Sequence, residues 1–167
     1  MFDCFHRPDW DSYFMALCFT ISQKSIDQHT KHGSVIVDKD HTILSVGFNG
    51  PMRNCDDTQI PLTRPDKYFW LSHSEVAAIT NAAKSGTRID GGTLYVTGYP
   101  CEVCFRSVVN AGIKKVIYGP VKSACVDTKV NDVVEKMSKL SGVELVEFKN
   151  TITCRTILEN VLRKLQE

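Results

Sequence analysis

Residues 91–118 read GGTLYVTGYPCEVCFRSVVNAGIKKVIY, and their reading decides the fold. Thr93 to Thr97 is a short run rich in β-branched and aromatic residues, as a buried strand is. Gly91-Gly92 leads into it. Pro100 then starts a helix that Gly112 ends, and Val116-Ile117-Tyr118 is a further strand. The same alternation continues downstream. A helix runs from about Thr128 to Leu140, a strand from Glu144 to Phe148, and a last helix starts at about Thr151. Upstream, His73 to Ala83 has helical spacing and ends near Gly86. Residues 49 to about 71 look irregular, with Pro51, Pro61 and Pro65, and a loop that long inside a compact domain is usually functional.

Further upstream, Gly33 opens a strand through Val37, and Asp38 to His41 forms a polar turn. Thr42 to Phe48 is the hairpin partner of that strand, so this first pair runs antiparallel. Residues 9 to about 27 form a helix, with Tyr13, Phe14, Leu17, Phe19 and Ile21 as its apolar positions. Strands alternating with helices predict the α/β class, a three-layer α/β/α sandwich around a central mixed, mostly parallel five-stranded sheet. Loops at the carboxyl ends of parallel strands commonly carry the ligand site.

The 167 residues hold no internal repeat or linker and read as one domain, 1–167. A formal net charge of +1 lacks the basic excess of a protein that grips polymeric nucleic acid, although a single nucleotide needs only a cation or two. No run is apolar enough to span a bilayer, and Asp3, His6, Arg7 and Asp9 break any signal-peptide pattern, so a cytoplasmic location is expected. Seven cysteines without a secretory signal argue against a disulfide framework.

Two short motifs carry chemistry. One is His73-Ser74-Glu75 and the other is Pro100-Cys101-Glu102-Val103-Cys104, each at a helix start. Cys101 and Cys104 are three apart and share a helix face. The positive end of the helix favours their thiolates. His73 adds a neutral nitrogen. Three protein ligands leave a fourth tetrahedral position open, the arrangement of a catalytic zinc. Such an ion lowers the pKa of water to roughly 7. Glu75 is close to the metal without being a ligand, and is placed to move protons between water, ring nitrogen and leaving amine. H-x-E followed by P-C-x-x-C is the pattern of zinc-dependent nucleobase deaminases.

Each part has a plainer reading. C-x-x-C alone fits a thioredoxin-like redox pair. A closed structural zinc would draw a fourth ligand from Cys55, Cys125 or another histidine. His-x-Glu alone fits ordinary helix capping. A noncatalytic zinc module would leave Glu75 idle. The two motifs together, in this order and on these elements, favour the catalytic centre.

From Trp10 to about Phe148 the chain resembles the deoxycytidylate deaminases of the cytidine deaminase-like superfamily. The resemblance is carried by Trp10 to Ala16, Gln23 to Asp27, Gly33 to Val37, Gly47-Phe48-Asn49-Gly50, Cys55-Asp56-Asp57, the two metal motifs, and Ala111 to Ile117. It implies conversion of dCMP to dUMP and ammonia, one Zn2+ per chain, and a homo-oligomer, often a hexamer. It also implies that Asn49 meets the deoxyribose, the backbone N–H of Ser74 the base carbonyl, and the backbone carbonyl of Tyr99 the amino group. Other cytosine nucleotides or nucleosides, and adenosine in RNA, are the neighbouring substrate classes.

Three positions depart from the family pattern. Ser74 stands where the family has Ala. Pro51 lies one residue early in a turn used for regulation, which argues against triphosphate control. The loop 119–127 lacks the usual aromatic residue, so Phe69 or Trp70 either stacks on the base or packs in the core or at an interface. For the phosphate the cations in reach are Lys24, Arg53, Arg64, Arg106 and Lys122. The apolar C-terminal helix, with Ile157, Leu158, Val161, Leu162 and Leu165, either packs on its own sheet or joins subunits.

Overall fold

A computed structural model describes residues 7–167. Asp3 and His6, part of the N-terminal reading above, lie outside the described residues. Helix α1 spans Trp10–Ser22. Asp9 caps it, its carboxylate accepting from the Ser12 backbone N–H and hydroxyl, both at 2.8 Å. The hairpin follows as β1 (Gly33–Val37) and β2 (Ile43–Phe48). Two two-residue strands, β3 (Gly50–Pro51) and β4 (Leu71–Ser72), bracket a segment holding two short 3-10 turns. Then come α2 (Ser74–Ser85), β5 (Thr93–Gly98), α3 (Glu102–Asn110), β6 (Lys115–Val121), α4 (Thr128–Ser141), β7 (Glu144–Glu147) and α5 (Thr151–Lys164).

The main sheet has the order β2-β1-β5-β6-β7. The β5–β6 and β6–β7 pairs are parallel, as strands joined through helices must be. β1 pairs antiparallel with both β2 and β5, so it alone opposes the direction of the other four. The α/β class and the mixed five-stranded sheet agree with the reading from sequence.

Alternation of side chains sorts the two faces. Ile36, Leu94, Val96 and Val116 point to one side and pack with Ala78, Ala82, Phe105, Val108 and Val134 of α2, α3 and α4. Val35, Val37, Tyr95 and Ile117 point to the other and pack with Phe14, Met15, Cys18 and Cys154 of α1 and α5. Burial on both faces explains why these strands read as continuous apolar runs.

Two boundaries differ from expectation. The first helix stops at Ser22 rather than near 27: the N–H groups of Gln23, Lys24 and Ser25 bond three residues back in a tightened last turn, and beyond it the Asp27 carboxylate accepts the backbone N–H groups of His29 and Thr30. The third helix begins at Glu102, with Cys101 as N-cap in an extended conformation, so Pro100 precedes the helix instead of opening it.

Candidate active site

The N-termini of α2 and α3 converge at the carboxyl end of β5. His73 is the N-cap of α2 and Cys101 the N-cap of α3, and neither uses its side chain for capping. Both side chains are therefore free for another partner. Gly47 on β2 sets the height of α2. A Cβ there would stand 2.3 Å from the Ala78 nitrogen and 2.4 Å from the Ser74 carbonyl oxygen. Only glycine lets the helix approach so closely.

His73 Nδ1 lies 3.5 Å from Cys101 Sγ and 3.3 Å from Cys104 Sγ. One donor atom from each of the three residues falls within 4.8 Å of the others. Tetrahedral zinc, with Zn–S near 2.3 Å and Zn–N near 2.05 Å, requires an S-to-N edge of roughly 3.6 Å. The donor set and its spacing fit that ion. Cys104 is the third residue of its helix, and the N-cap-to-N3 spacing brings it beside Cys101 as it does the two partners of a capping box.

The electrostatics show groups competing for too few protons. Hydrogen bonds from Cys104 and then Cys125 hold the Cys101 thiol far below its ordinary value. The same bonds push Cys104 and Cys125 upward. The bond to Cys101 raises the His73 imidazole. A bound cation would replace these shared protons and hold the ligating thiols as thiolates. Cys125 does not join the three-residue ligand group, and neither does Cys55, so among the described residues no fourth protein ligand closes the centre.

Glu75 is buried in the first turn of α2. Burial raises its pKa, with His73 pulling the other way. Ser74 Oγ donates to Glu75 Oε2 at 3.1 Å and accepts from Ser34 Oγ at 2.7 Å. The serine that replaces the family's alanine thus orients the carboxylate through its hydroxyl, a role a sequence match on backbone contacts does not show.

A cavity opens beside this centre, lined in part by His32, Asn49, Arg64, Lys67, Tyr68 and Tyr99. Asn49 is buried, accepting the His32 backbone N–H at 2.7 Å and donating to the Thr30 carbonyl at 2.9 Å. Tyr99 lines the wall at the end of β5. Ser74, the first residue of α2, is buried and is not among the lining residues. Lys24 is exposed in the turn after α1 and is not among the lining residues. Of the five cations read as phosphate candidates, only Arg64 reaches the cavity wall, while Arg53 turns to Asn81. Tyr68 lines the cavity, whereas Phe69, 85% exposed, and Trp70 do not.

Lys67 and Asp27 were not legible as site residues. They form a buried ion pair in the cavity wall, Nζ lying 2.8 and 2.7 Å from the two carboxylate oxygens. Burial would raise the Asp27 pKa, but the bonds from Lys67, His29 and Thr30 outweigh it and hold the carboxyl below its ordinary range. The pair joins residues forty apart in sequence, and no short motif announces it.

Fold, donor set and adjoining buried carboxylate define a hydrolytic zinc enzyme with an open coordination position. The family model for the cytidine and deoxycytidylate deaminase zinc-binding region matches residues 8–120. Human deoxycytidylate deaminase is 36% identical over 124 residues, covering 69% of this chain and 68% of that protein. The mouse deoxycytidylate deaminase is 32% identical over 154 residues, covering 87% and 84%. The crystal structure of dCMP deaminase from cyanophage S-TIM5 in complex with dCMP and dUMP superposes with a TM-score of 0.67 at 28% identity, over 86% of this chain and 99% of that one. The chain belongs to the cytidine and deoxycytidylate deaminase family, and its metal is zinc.

Proposed function

We propose that this chain hydrolyses the 4-amino group of dCMP, releasing dUMP and ammonia. The observation that carries the reading is the buried Glu75 beside a three-ligand centre with an open position, in a chain that matches named deoxycytidylate deaminases over most of its length.

His73, Cys101 and Cys104 would hold the zinc, whose chemistry when bound would be to acidify a water. Glu75 would take one proton from the attacking water and deliver it to N3 of the cytosine ring, then take the second from the new C4 hydroxyl and pass it to the departing amino group. Its raised pKa brings it closer to the operating pH, where a general acid–base works best. The Ser34–Ser74 hydroxyl chain keeps the carboxylate in one orientation.

In this reading the backbone N–H of Ser74 at the start of α2 meets the base carbonyl, and the Tyr99 carbonyl meets the amino group. Asn49 has committed both amide hydrogens, to Thr30 and Asp27, and one lone pair to His32. It keeps one Oδ1 lone pair for a sugar hydroxyl. Arg64, exposed at the cavity wall and given no ion pair among the described residues, receives the phosphate. Lys24 is too peripheral in this arrangement to share that role. Tyr68 takes the place of the missing aromatic residue against the base.

The chain works as a homo-oligomer, a hexamer by its family, in the cytoplasm. Ile157 and Leu158 pack on the second core, while Ile152, Val161 and Leu162 of α5, Leu165 at its C-cap and Leu140 of α4 are exposed. That outward set supports subunit contact. All cysteines among the described residues are free, as suits a reducing compartment. No helix of the described residues is long and apolar enough to cross a membrane.

The test is ammonia release by zinc-loaded protein offered dCMP, dCTP, deoxycytidine and CMP side by side. Release from dCMP far above the others is expected. No release from any of them, with zinc confirmed at one per chain, would overturn the substrate assignment. A monomer by light scattering across micromolar concentrations would overturn the assembly.

A further inference from the structure

His32 immediately precedes β1 and faces the cavity, yet neither the metal nor proton transfer to the base uses it. Its surroundings are built around the ring. Gly98 leaves space for it, since a Cβ there would stand 2.8 Å from the His32 Cε1 atom. The Thr97 hydroxyl lies 2.9 Å from Nδ1 and accepts the Gly33 N–H at 3.3 Å. The buried Thr97 hydroxyl has no other acceptor for its hydrogen among the described residues, so it donates to Nδ1, which leaves the ring proton on Nε2. The backbone N–H of the same residue is pinned by Asn49. Ring, tautomer and main chain are thus all fixed from behind. The atom so positioned, Nε2, is buried and has no partner among protein groups. Native proteins rarely leave a buried donor unpaired, and such an exception calls for an explanation.

We infer that His32 is a specificity-determining residue whose Nε2–H donates to an uncharged acceptor oxygen on the sugar or base of the bound nucleotide. The inference rests on the nucleotide deaminase reading above. Burial, and then the neighbouring His73, push the His32 pKa down to about 4, so the ring is neutral where a nucleotide enzyme operates. A neutral donor suits a sugar hydroxyl or ring carbonyl, and leaves the phosphate to the exposed Arg64. A site built to hydrogen-bond a substrate oxygen discriminates through it, because an analogue lacking that oxygen leaves the buried donor unpaired.

The experiment compares wild type, His32→Val and His32→Gln as zinc-loaded full chains, on whichever of dCMP, dCTP, deoxycytidine and CMP the wild type turns over fastest. That choice separates the two readings, since the wild-type panel alone judges the substrate class and the ratio of variant to wild type judges His32. For His32→Val the expected result is a KM raised about 3- to 10-fold, the span of one hydrogen bond, with kcat little changed. Its melting temperature should not fall, because an unpaired buried donor has been removed. Gln places an amide N–H near the position of Nε2 and should restore most of the KM. Repeating the comparison on the 2′,3′-dideoxy form of the substrate identifies the oxygen. If the sugar 3′-oxygen is the acceptor, the difference between wild type and His32→Val disappears, and if the base carbonyl is the acceptor, it persists. A wild-type KM in His32→Val would overturn the inference. So would a raised KM that Gln does not restore together with a lowered melting temperature, which marks a merely structural residue.

Discussion

The two halves of the active site are made differently. The metal half comes from two helix starts, with the three-residue ligand group and the buried Glu75 carboxylate inside His73–Glu75 and Cys101–Cys104. The nucleotide half comes from four separate segments, around Asp27–His32, Asn49–Ser72, Val96–Tyr99 and Ser123–Cys125, the first two tied together by one buried ion pair and an asparagine. A centre assembled from short helical motifs survives changes elsewhere as long as its helices pack. A wall assembled from loops depends on long-range polar bonds between them.

The sharpest separation of the halves is Glu75→Gln. It should lower turnover by about 10²- to 10⁴-fold, the worth of positioned proton transfer, with zinc retained at one per chain by metal analysis. Loss of zinc along with activity would mean that Glu75 supports the ligands and is not a proton carrier.

The wall should break with Lys67→Met, which strands the Asp27 charge. Removing one partner of a buried pair costs about 3–5 kcal/mol, readable by denaturant unfolding at neutral pH, and zinc should stay in the folded fraction. The pH dependence has a definite sign. The Asp27 carboxyl is depressed in the folded state, so its contribution is present above the ordinary carboxylate range near pH 4 and is lost as pH falls through the folded value. The stability gap between wild type and variant should therefore narrow in acid. Zinc loss in folded Lys67→Met would show that the two halves are not separable.

Within the wall, Arg64→Ala should raise the KM for dCMP on the order of tenfold, as expected for one charge-assisted contact, with deoxycytidine turnover unchanged. Equal losses on both substrates would place Arg64 in loop structure instead of phosphate recognition. The smallest effect is expected from Ser74→Ala. The Ser74 hydroxyl lowers the Glu75 pKa by bonding its charged form. Its removal should move the acid limb of the kcat/KM profile to higher pH and lower kcat a few-fold. An unmoved limb would break the link between the hydroxyl chain and the catalytic carboxylate.

By itself the sequence determined the α/β alternation, the antiparallel first hairpin, the three ligands and Glu75. Each of these rests on a local period or a spacing of three or four residues, and local geometry converts such spacings directly into shared faces and helix ends. The tertiary structure decided the rest. The placement of β1 between β2 and β5 is a matter of which strands meet, and nothing in β1 records it. The ion pair between Asp27 and Lys67, the presence of Arg64 and Tyr68 but not Lys24, Phe69 or Trp70 on the cavity wall, and the fixing of His32 by Thr97 and Gly98 all bring together residues far apart in the chain. Such contacts form because burying a polar group requires a partner wherever the fold supplies one, and only the folded chain says where that is.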